Sequence, residues 1–212
     1  MTASYVILFD FDGTLTESET MDLIYNRFAA CGLKYSRQWS QGKISTIQEI
    51  TSTFATITAS REELETLFEK TTLIPGAVEF LQRCIDEDRH IAVVSDGLRW
   101  YIDSILSRAG FPGIRIYANG IYFEPDGFKF SFTWYDPDTP MRSSSKAGII
   151  RRYQRRGSFV TFIGNGKSDT GAVGVADRLC ARDWLADYCE ERAVEFVRFN
   201  NFYDLMEKFQ QH

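Results

Sequence analysis

Tyr5-Val6-Ile7-Leu8-Phe9-Asp10-Phe11-Asp12-Gly13-Thr14 is the stretch whose reading decides the fold. Tyr5 to Phe9 is an unbroken run of apolar and β-favouring residues, which predicts a strand buried on both faces. It ends abruptly in the carboxylates of Asp10 and Asp12, followed by a turn at Gly13-Thr14. In an open α/β sheet, ligands gather at the carboxyl ends of the strands, where these acids fall. Acids this close repel each other unless a cation or a proton is shared between them. A divalent cation is the expected occupant.

The rest of the composition narrows the field. The chain has 212 residues, 44% of them hydrophobic and 15% aromatic, so one main domain with an insertion is expected. Net charge is −5 with acids and bases mixed, which argues against a nucleic-acid surface. The basic run Arg151-Arg152-Tyr153-Gln154-Arg155-Arg156 reads as the solvated face of a helix. The start of the sequence lacks a basic then apolar leader, and no apolar stretch is long enough to span a bilayer. Cys31, Cys84, Cys180 and Cys189 are scattered, as buried free thiols of a reducing cytoplasm would be. The histidines are His90 and His212, too few for a histidine-rich metal site or a Ser-His-Asp triad.

Downstream of Thr14 the pattern is helical. Helices are expected from Glu19 to about Cys31, with Met21, Ile24 and Phe28 on one face, and after Ser45 through Ile47, Ile50, Phe54 and Ile57. Another opens at the capping box of Ser60 and Glu63, and residues 33–43 read as irregular. Pro75 suits a further helix whose buried face is read as Val78, Leu81, Cys84 and Ile85. A second buried strand, His90 to Ser95, runs into Ser95-Asp96-Gly97 and a helix from Leu98 to Ala109. Segments 121–124 and 128–132 flank Pro125-Asp126-Gly127 as a hairpin. A helix from Ser145, a third buried strand at Phe159 to Ile163, and short strands near Leu179 and Val197 complete the sheet. Alternating strand and helix predicts α/β architecture with a doubly wound parallel sheet. Gly166-Lys167-Ser168 has the tail of a P-loop, but that motif needs glycine where Thr161 stands, so a nucleotide-binding loop is rejected.

Asp10-Phe11-Asp12-Gly13-Thr14 resembles the first motif, D-x-D-G-T, of haloacid dehalogenase-superfamily phosphatases. Ser95, Lys146 and the segment Gly164 to Asp169 follow in the order of that superfamily's later motifs. The resemblance implies a Rossmann-like core formed by 1–15 and 74–212, with a helical cap over 16–73 and a β-hairpin insertion. It implies that Asp10 attacks phosphorus and that Asp12 is the general acid/base, two residues on, beside the leaving oxygen. Ser95, with backbone N–H groups of Asp96 and Gly97 entering the helix, would hold phosphate oxygens, and Lys146 would neutralise the transferred group. Mg²⁺ would be held by Asp10, the Asp12 carbonyl, Asn165 and Asp169.

Within the superfamily, Glu19-Thr20-Met21-Asp22 resembles the phosphoserine phosphatase branch, where the matching glutamate reads a substrate amino group. Thr53 stands where that branch places a carboxylate-binding arginine. Gly42 to Phe54 and Cys180-Ala181-Arg182-Asp183-Trp184-Leu185 are more similar to the methionine-salvage phosphatases. The expectation is a cytoplasmic Mg²⁺-dependent phosphatase of a small phosphorylated metabolite, with no nucleic-acid or membrane partner. Two alternatives stay open: a phosphoserine phosphatase, or a weakly active or non-catalytic phosphate-binding relative. The second arises because Asn165 stands where the family usually has a metal-binding aspartate.

Overall fold

The computed structural model describes residues 4–210, so His212 lies outside the described residues. The chain divides into two compact units. The first comprises Met1–Glu17, Thr72–Val94 and Lys146–His212, and the second Ser18–Thr71 and Ser95–Ser145. The division differs from a simple core-and-cap partition, because the chain after Val94 groups with the helical insertion.

The first unit is built on the opening strand, β1 (Tyr5–Phe9), buried from Val6 onward. It pairs in parallel with the first part of β2 (His90–Leu98), in the register Val6↔His90 to Phe9↔Val93. On its other side β1 pairs in parallel with β5 (Phe159–Gly164), Phe9 lying opposite Ile163. The short strands β6 (Arg178–Ala181) and β7 (Val197–Arg198) continue the parallel ladder outward from β5. The order β2-β1-β5-β6-β7, with β1 in the middle, explains the unbroken apolar run: a central strand has no solvent face.

Helix α5 (Ala77–Asp86) buries Ala77, Phe80, Leu81 and Cys84, whereas Val78 and Ile85 are 44% and 46% exposed. The sequence reading holds for Leu81 and Cys84 and fails for Val78 and Ile85, whose places in the buried face are taken by Ala77 and Phe80. Phe80 is the residue that decides it, packing on Phe9 and on Phe202 of the helix Phe202–Gln210 with ring centroids 6.0 and 5.2 Å away. Gly76 precedes the helix with φ +82°, and a Cβ there would come within 2.5 Å of the Tyr203 nitrogen, so only glycine fits.

In the second unit, α1 (Thr20–Phe28) stops three residues short of Cys31, because Ala29 turns extended and bridges to Ile57. Residues expected to be irregular form α2 (Lys34–Ser40), a helix with no buried residue and hence no apolar stripe to read. Helices α3 (Thr46–Phe54) and α4 (Arg61–Phe68) start at complete capping boxes, Ser45 with Gln48 and Ser60 with Glu63. Helix α6 (Arg99–Arg108) leads to β3 (Arg115–Glu124), which forms an antiparallel hairpin with β4 (Gly127–Ser131). Aromatic contacts explain why this hairpin groups with the helical insertion. Phe54 meets Phe128 and Phe130, both at 5.2 Å, and Trp100 meets Phe68 at 4.8 Å and Phe123 at 5.0 Å.

Candidate active site

The ladder of β1 runs one residue past the strand: the Asp10 N–H donates to the Ile163 carbonyl at 2.9 Å. The next turn folds back at once, with the N–H groups of Thr14, Leu15 and Thr16 all directed at the Phe11 carbonyl. Gly13, at φ +72°, permits that reversal. Asp10 is thereby fixed at the strand end, only 5% exposed, while Asp12 and Gly13 are half-buried.

Lys146 is the first residue of α7 (Lys146–Gln154) and is 2% exposed. Its Nζ donates to Asp10 Oδ1 at 2.8 Å, to Ser168 Oγ at 3.1 Å, and to Asp169 Oδ1. Asp169 is fully buried in the 3-10 turn Lys167–Ala172. Its other oxygen, Oδ2, accepts the N–H groups of Asn165 at 2.8 Å and Gly166 at 2.9 Å. Both oxygens of Asp169 are thus engaged by the protein, tying the loop after β5 to the lysine. Gly164 makes room for this: a Cβ there would lie 2.6 Å from Asp169 Oδ2. The same loop is held from the next segment, where Arg182 N–H donates to the Gly164 carbonyl and Leu185 N–H to the Asn165 carbonyl.

Asn165 lies half-buried, its Oδ1 accepting the Thr14 hydroxyl at 2.9 Å. That bond joins the turn after Asp12 to the loop after β5. Thr14 and Ser168 are named in the sequence reading but given no role in the site. Thr14 was visible as the last letter of D-x-D-G-T, and Ser168 as the hydroxyl beside Asp169, but neither spacing alone discloses a partner across the chain.

The electrostatics are those of too many carboxylates. Burial above all, then the neighbouring Asp169, push the Asp10 carboxyl up to about 8 against the pull of Lys146, and Asp12 adds to the rise. Asp10, Asp12 and Asp169 are set against the single ammonium of Lys146 in this group, a deficit that a divalent cation would fill. Among the described residues no three His, Cys, Asp or Glu side chains converge as a ready-made metal cage. The oxygen donors the sequence assigned to a cation, Asp10, the Asp12 carbonyl and the Asn165 amide, are of the kind a hard ion such as Mg²⁺ takes.

Ser95, Asp96, Gly97 and Glu19 belong to the second unit. Strand β2 continues through Leu98, so Asp96 and Gly97 lie in the strand and do not open a helix, as the sequence had suggested. Ser95 is 2% exposed, and its Oγ accepts the Gly97 N–H at 2.9 Å. The Asp96 side chain ties two segments together, its Oδ1 accepting the N–H groups of Ser143 and Ser144 and the Ser143 hydroxyl, within 3.1 Å. The Asn119 amide donates to the Asp96 carbonyl at 2.6 Å. Asp96 thus clamps the segment that precedes Lys146 in sequence. Glu19 is exposed and occupies the N-cap position of α1 without a capping hydrogen bond from its side chain.

The chain is 28% identical to a 2-hydroxy-3-keto-5-methylthiopentenyl-1-phosphate phosphatase of Brevibacillus brevis, covering 100% of this chain and 97% of that protein. A protein of the same name from Bacillus mycoides is 27% identical, over 96% and 94% of the two chains. A solved structure described as a phospho-aspartyl intermediate analogue of phosphoserine phosphatase shares the fold, with a TM-score of 0.74 at 19% identity and 99% coverage of both chains. A phosphoserine phosphohydrolase-like protein from Francisella tularensis superposes with a TM-score of 0.72 at 20% identity, covering 96% of this chain and 98% of that one. The family model for haloacid dehalogenase-like hydrolases matches residues 7–173, from within β1 to just past the turn that holds Asp169, and the chain belongs to that family.

Proposed function

We propose that this hydrolase is a phosphatase acting on a small phosphorylated metabolite through an aspartyl-phosphate intermediate. The observation that carries the reading is the buried Asp10 at the end of β1, bonded to Lys146, with Asp12 two residues further on. Asp10 takes the phosphoryl group. Asp12 gives its proton to the leaving oxygen and then removes one from the water that hydrolyses the acyl phosphate. Lys146 faces the phosphoryl oxygens as charge builds on them, and Asp169 with Ser168 holds it in place. Mg²⁺, held by Asp10, the Asp12 carbonyl and Asn165, would supply further positive charge to the same oxygens. On this reading Asp169 serves Lys146 and the loop, because both its oxygens already have protein donors.

The likeness over the whole chain to proteins named as methylthiopentenyl-phosphate phosphatases favours a substrate of that kind over phosphoserine. Thr53 adds to this, being a fully buried hydroxyl with no positive charge to offer a carboxylate. Free thiols at all four cysteines suit action in the cytoplasm, and no helix among the described residues is long and apolar enough to cross a membrane. Asn165 supports a second reading, a phosphate-binding relative with little turnover, because a neutral amide replaces a charged ligand.

A phosphate-release screen over small phosphomonoesters, with Mg²⁺ and with chelator, tests both. The phosphatase reading requires release that chelator stops, and an acid-stable phosphoprotein that Asp10→Asn no longer forms. Binding of phosphomonoesters without release on any of them would leave only the second reading.

A further inference from the structure

The first unit carries a recess at the end of its sheet opposite the catalytic loops. A cavity of about 720 Å³ lies across the amino ends of β1, β2, β5 and β6, a volume in the range of small-molecule sites. β1 starts there with Tyr5 and reaches Asp10 about 16 Å further along. Pairing sets Tyr5 opposite Phe159 and Thr161 opposite Arg178, and alternation puts these four on the sheet face that also carries Phe9. At Phe9 that face is covered by the rings of Phe80 and Phe202. At Tyr5 the cover stops: Tyr5 is 63% exposed, with the Phe159 ring 5.6 Å from its own. Phe209, in the last turn of the helix Phe202–Gln210, closes the far side, and the Arg178 guanidinium stands over its ring at 5.6 Å.

Charge is unevenly spread along the cavity. Glu87 and Asp88 stand together in the turn that leads into β2, where Glu87 is shared by Arg83 and Arg89 at 2.7 and 2.5 Å. Arg178 is about 14 Å from that turn, because β1 and β5 lie between β2 and β6. It has no ion pair among the described residues. The adjacent Asp177 turns instead to the Val160 N–H at 2.8 Å and the Gln154 amide at 3.1 Å. A guanidinium held over a ring, with its in-plane N–H groups unspent, matches the two oxygens of one carboxylate. Phe159, two residues before Thr161 on β5, lies diagonal to it and offers with Tyr5 an apolar surface for a flat ring.

We propose that this cavity is a binding site for a small aromatic acid, its carboxylate on Arg178 and its ring against Tyr5 and Phe159. The site lies wholly in the first unit, shares no residue with the catalytic group, and does not depend on the phosphatase reading. A single carboxylate reaches Arg178 alone, whereas an extended polyanion would run on to Glu87 and Asp88 and be repelled. A neutral ring would gain the stacking surface and leave the guanidinium unused.

Calorimetry on the full chain tests the site with three probes: naphthalene-2-carboxylate, 2-naphthol and acetate. At about pH 7 naphthalene-2-carboxylate should bind at least about tenfold more tightly than 2-naphthol, which has the ring alone, or acetate, which has the charge alone. Arg178→Gln should remove that advantage and leave 2-naphthol binding as it was. Arg178→Lys keeps the charge without the planar fork and should lose about threefold, so the reading survives if the glutamine variant fails to fold. Tyr5→Ser, a change at an exposed side chain, should weaken the carboxylate and 2-naphthol together. Asp10→Asn should change neither, which separates this cavity from the catalytic strand end whatever becomes of the phosphatase reading. Equal binding of the three probes, affinity that survives Arg178→Gln, or no binding up to about 10 mM overturns the proposal. So does a dimer in sedimentation without probe that Tyr5→Ser dissociates, because a second copy would then own this face.

Discussion

Asp10 and Glu49 are buried carboxyls, one in each unit, and both are pushed up to about 8. Their surroundings are opposite. Asp10 faces an ammonium 2.8 Å away, and its rise survives that attraction because burial and two further carboxylates outweigh it. Glu49 is faced by the acids Asp22 and Asp96 and by the hydroxyls of Ser36 and Tyr25. The difference shows what each cluster is built to meet. A group holding excess negative charge around a fixed cation is ready for more positive charge and for a phosphoryl group that passes through. A group in which burial and then acids push Glu49 up to about 8 keeps a proton there near neutrality.

The sharpest contrast lies in turnover. Asp10→Asn removes the nucleophile and should lower phosphate release by at least about a thousandfold, with the fold intact by circular dichroism. Asp12→Asn should slow release by about 10²- to 10⁴-fold, affecting both formation and hydrolysis of the phosphoenzyme, because one carboxyl serves as donor and then acceptor. Rapid-quench measurement of the phosphoprotein separates the two steps. A variant of Asp10 retaining a tenth of the activity would move the nucleophile elsewhere.

Removing the cation from the first cluster makes it resemble the second, which tests whether that cation is what distinguishes them. Lys146 and Asp169 side chains are 1% and 0% exposed, so Lys146→Met strands two buried carboxylates beside each other. The expected loss is about 3–5 kcal/mol in urea unfolding at neutral pH. The loss should shrink on acidification, since protonation relieves the repulsion. A cost below about 1 kcal/mol would mean that water or rearrangement already neutralises this group.

Asn165→Asp sharpens the comparison in the other direction, adding charge to the cation-seeking cluster. Thr14 can donate to a carboxylate oxygen as it does to the amide, so the link between the two loops is kept. Mg²⁺ binding measured by calorimetry, without substrate, should tighten about tenfold if the new charge contributes about 1.4 kcal/mol. Unchanged affinity would place Asn165 outside the ion's ligands.

These residues differ in how legible they were. Asp10 and Asp12 stood out because an unbroken apolar run ends in them, and the parallel sheet followed from the repeats of that pattern. Lys146 and Asp169 were found by their order along the chain, but their mutual bond and the service of Ser168 depend on a turn that no local spacing encodes. The fold was misread where packing overrides periodicity: α2 buries nothing, and the buried frame of α5 is set by Phe80 meeting Phe9 and Phe202 across the fold. Glu49 was hidden for a different reason. It flanks the apolar stripe of α3 at Ile50 and Phe54, where a glutamate ordinarily reaches solvent, and only the arrival of Asp22, Ser36 and Asp96 from other elements shows that it does not.

The smallest effect concerns Glu49 alone and reads the second cluster through stability, with no ligand needed. An ordinary glutamate carboxyl titrates near 4.5, whereas Glu49 in the folded protein is raised to about 8. Between those values the folded chain holds a proton that the unfolded chain has released, so the folded state loses stability as pH rises through that window. Glutamine does not titrate and presents an amide in the same place. Glu49→Gln should therefore match the unmodified protein near the acid end of the window and exceed it by at least about 1 kcal/mol above pH 8. Asp10 contributes a fall of the same sign in the absence of a divalent ion, and the difference between the two proteins cancels it. Urea midpoints at about pH 5 and about pH 9, both with chelator, give the comparison. Parallel pH profiles would show that Glu49 ionises freely in the folded protein, and the second cluster would then be as charged as the first.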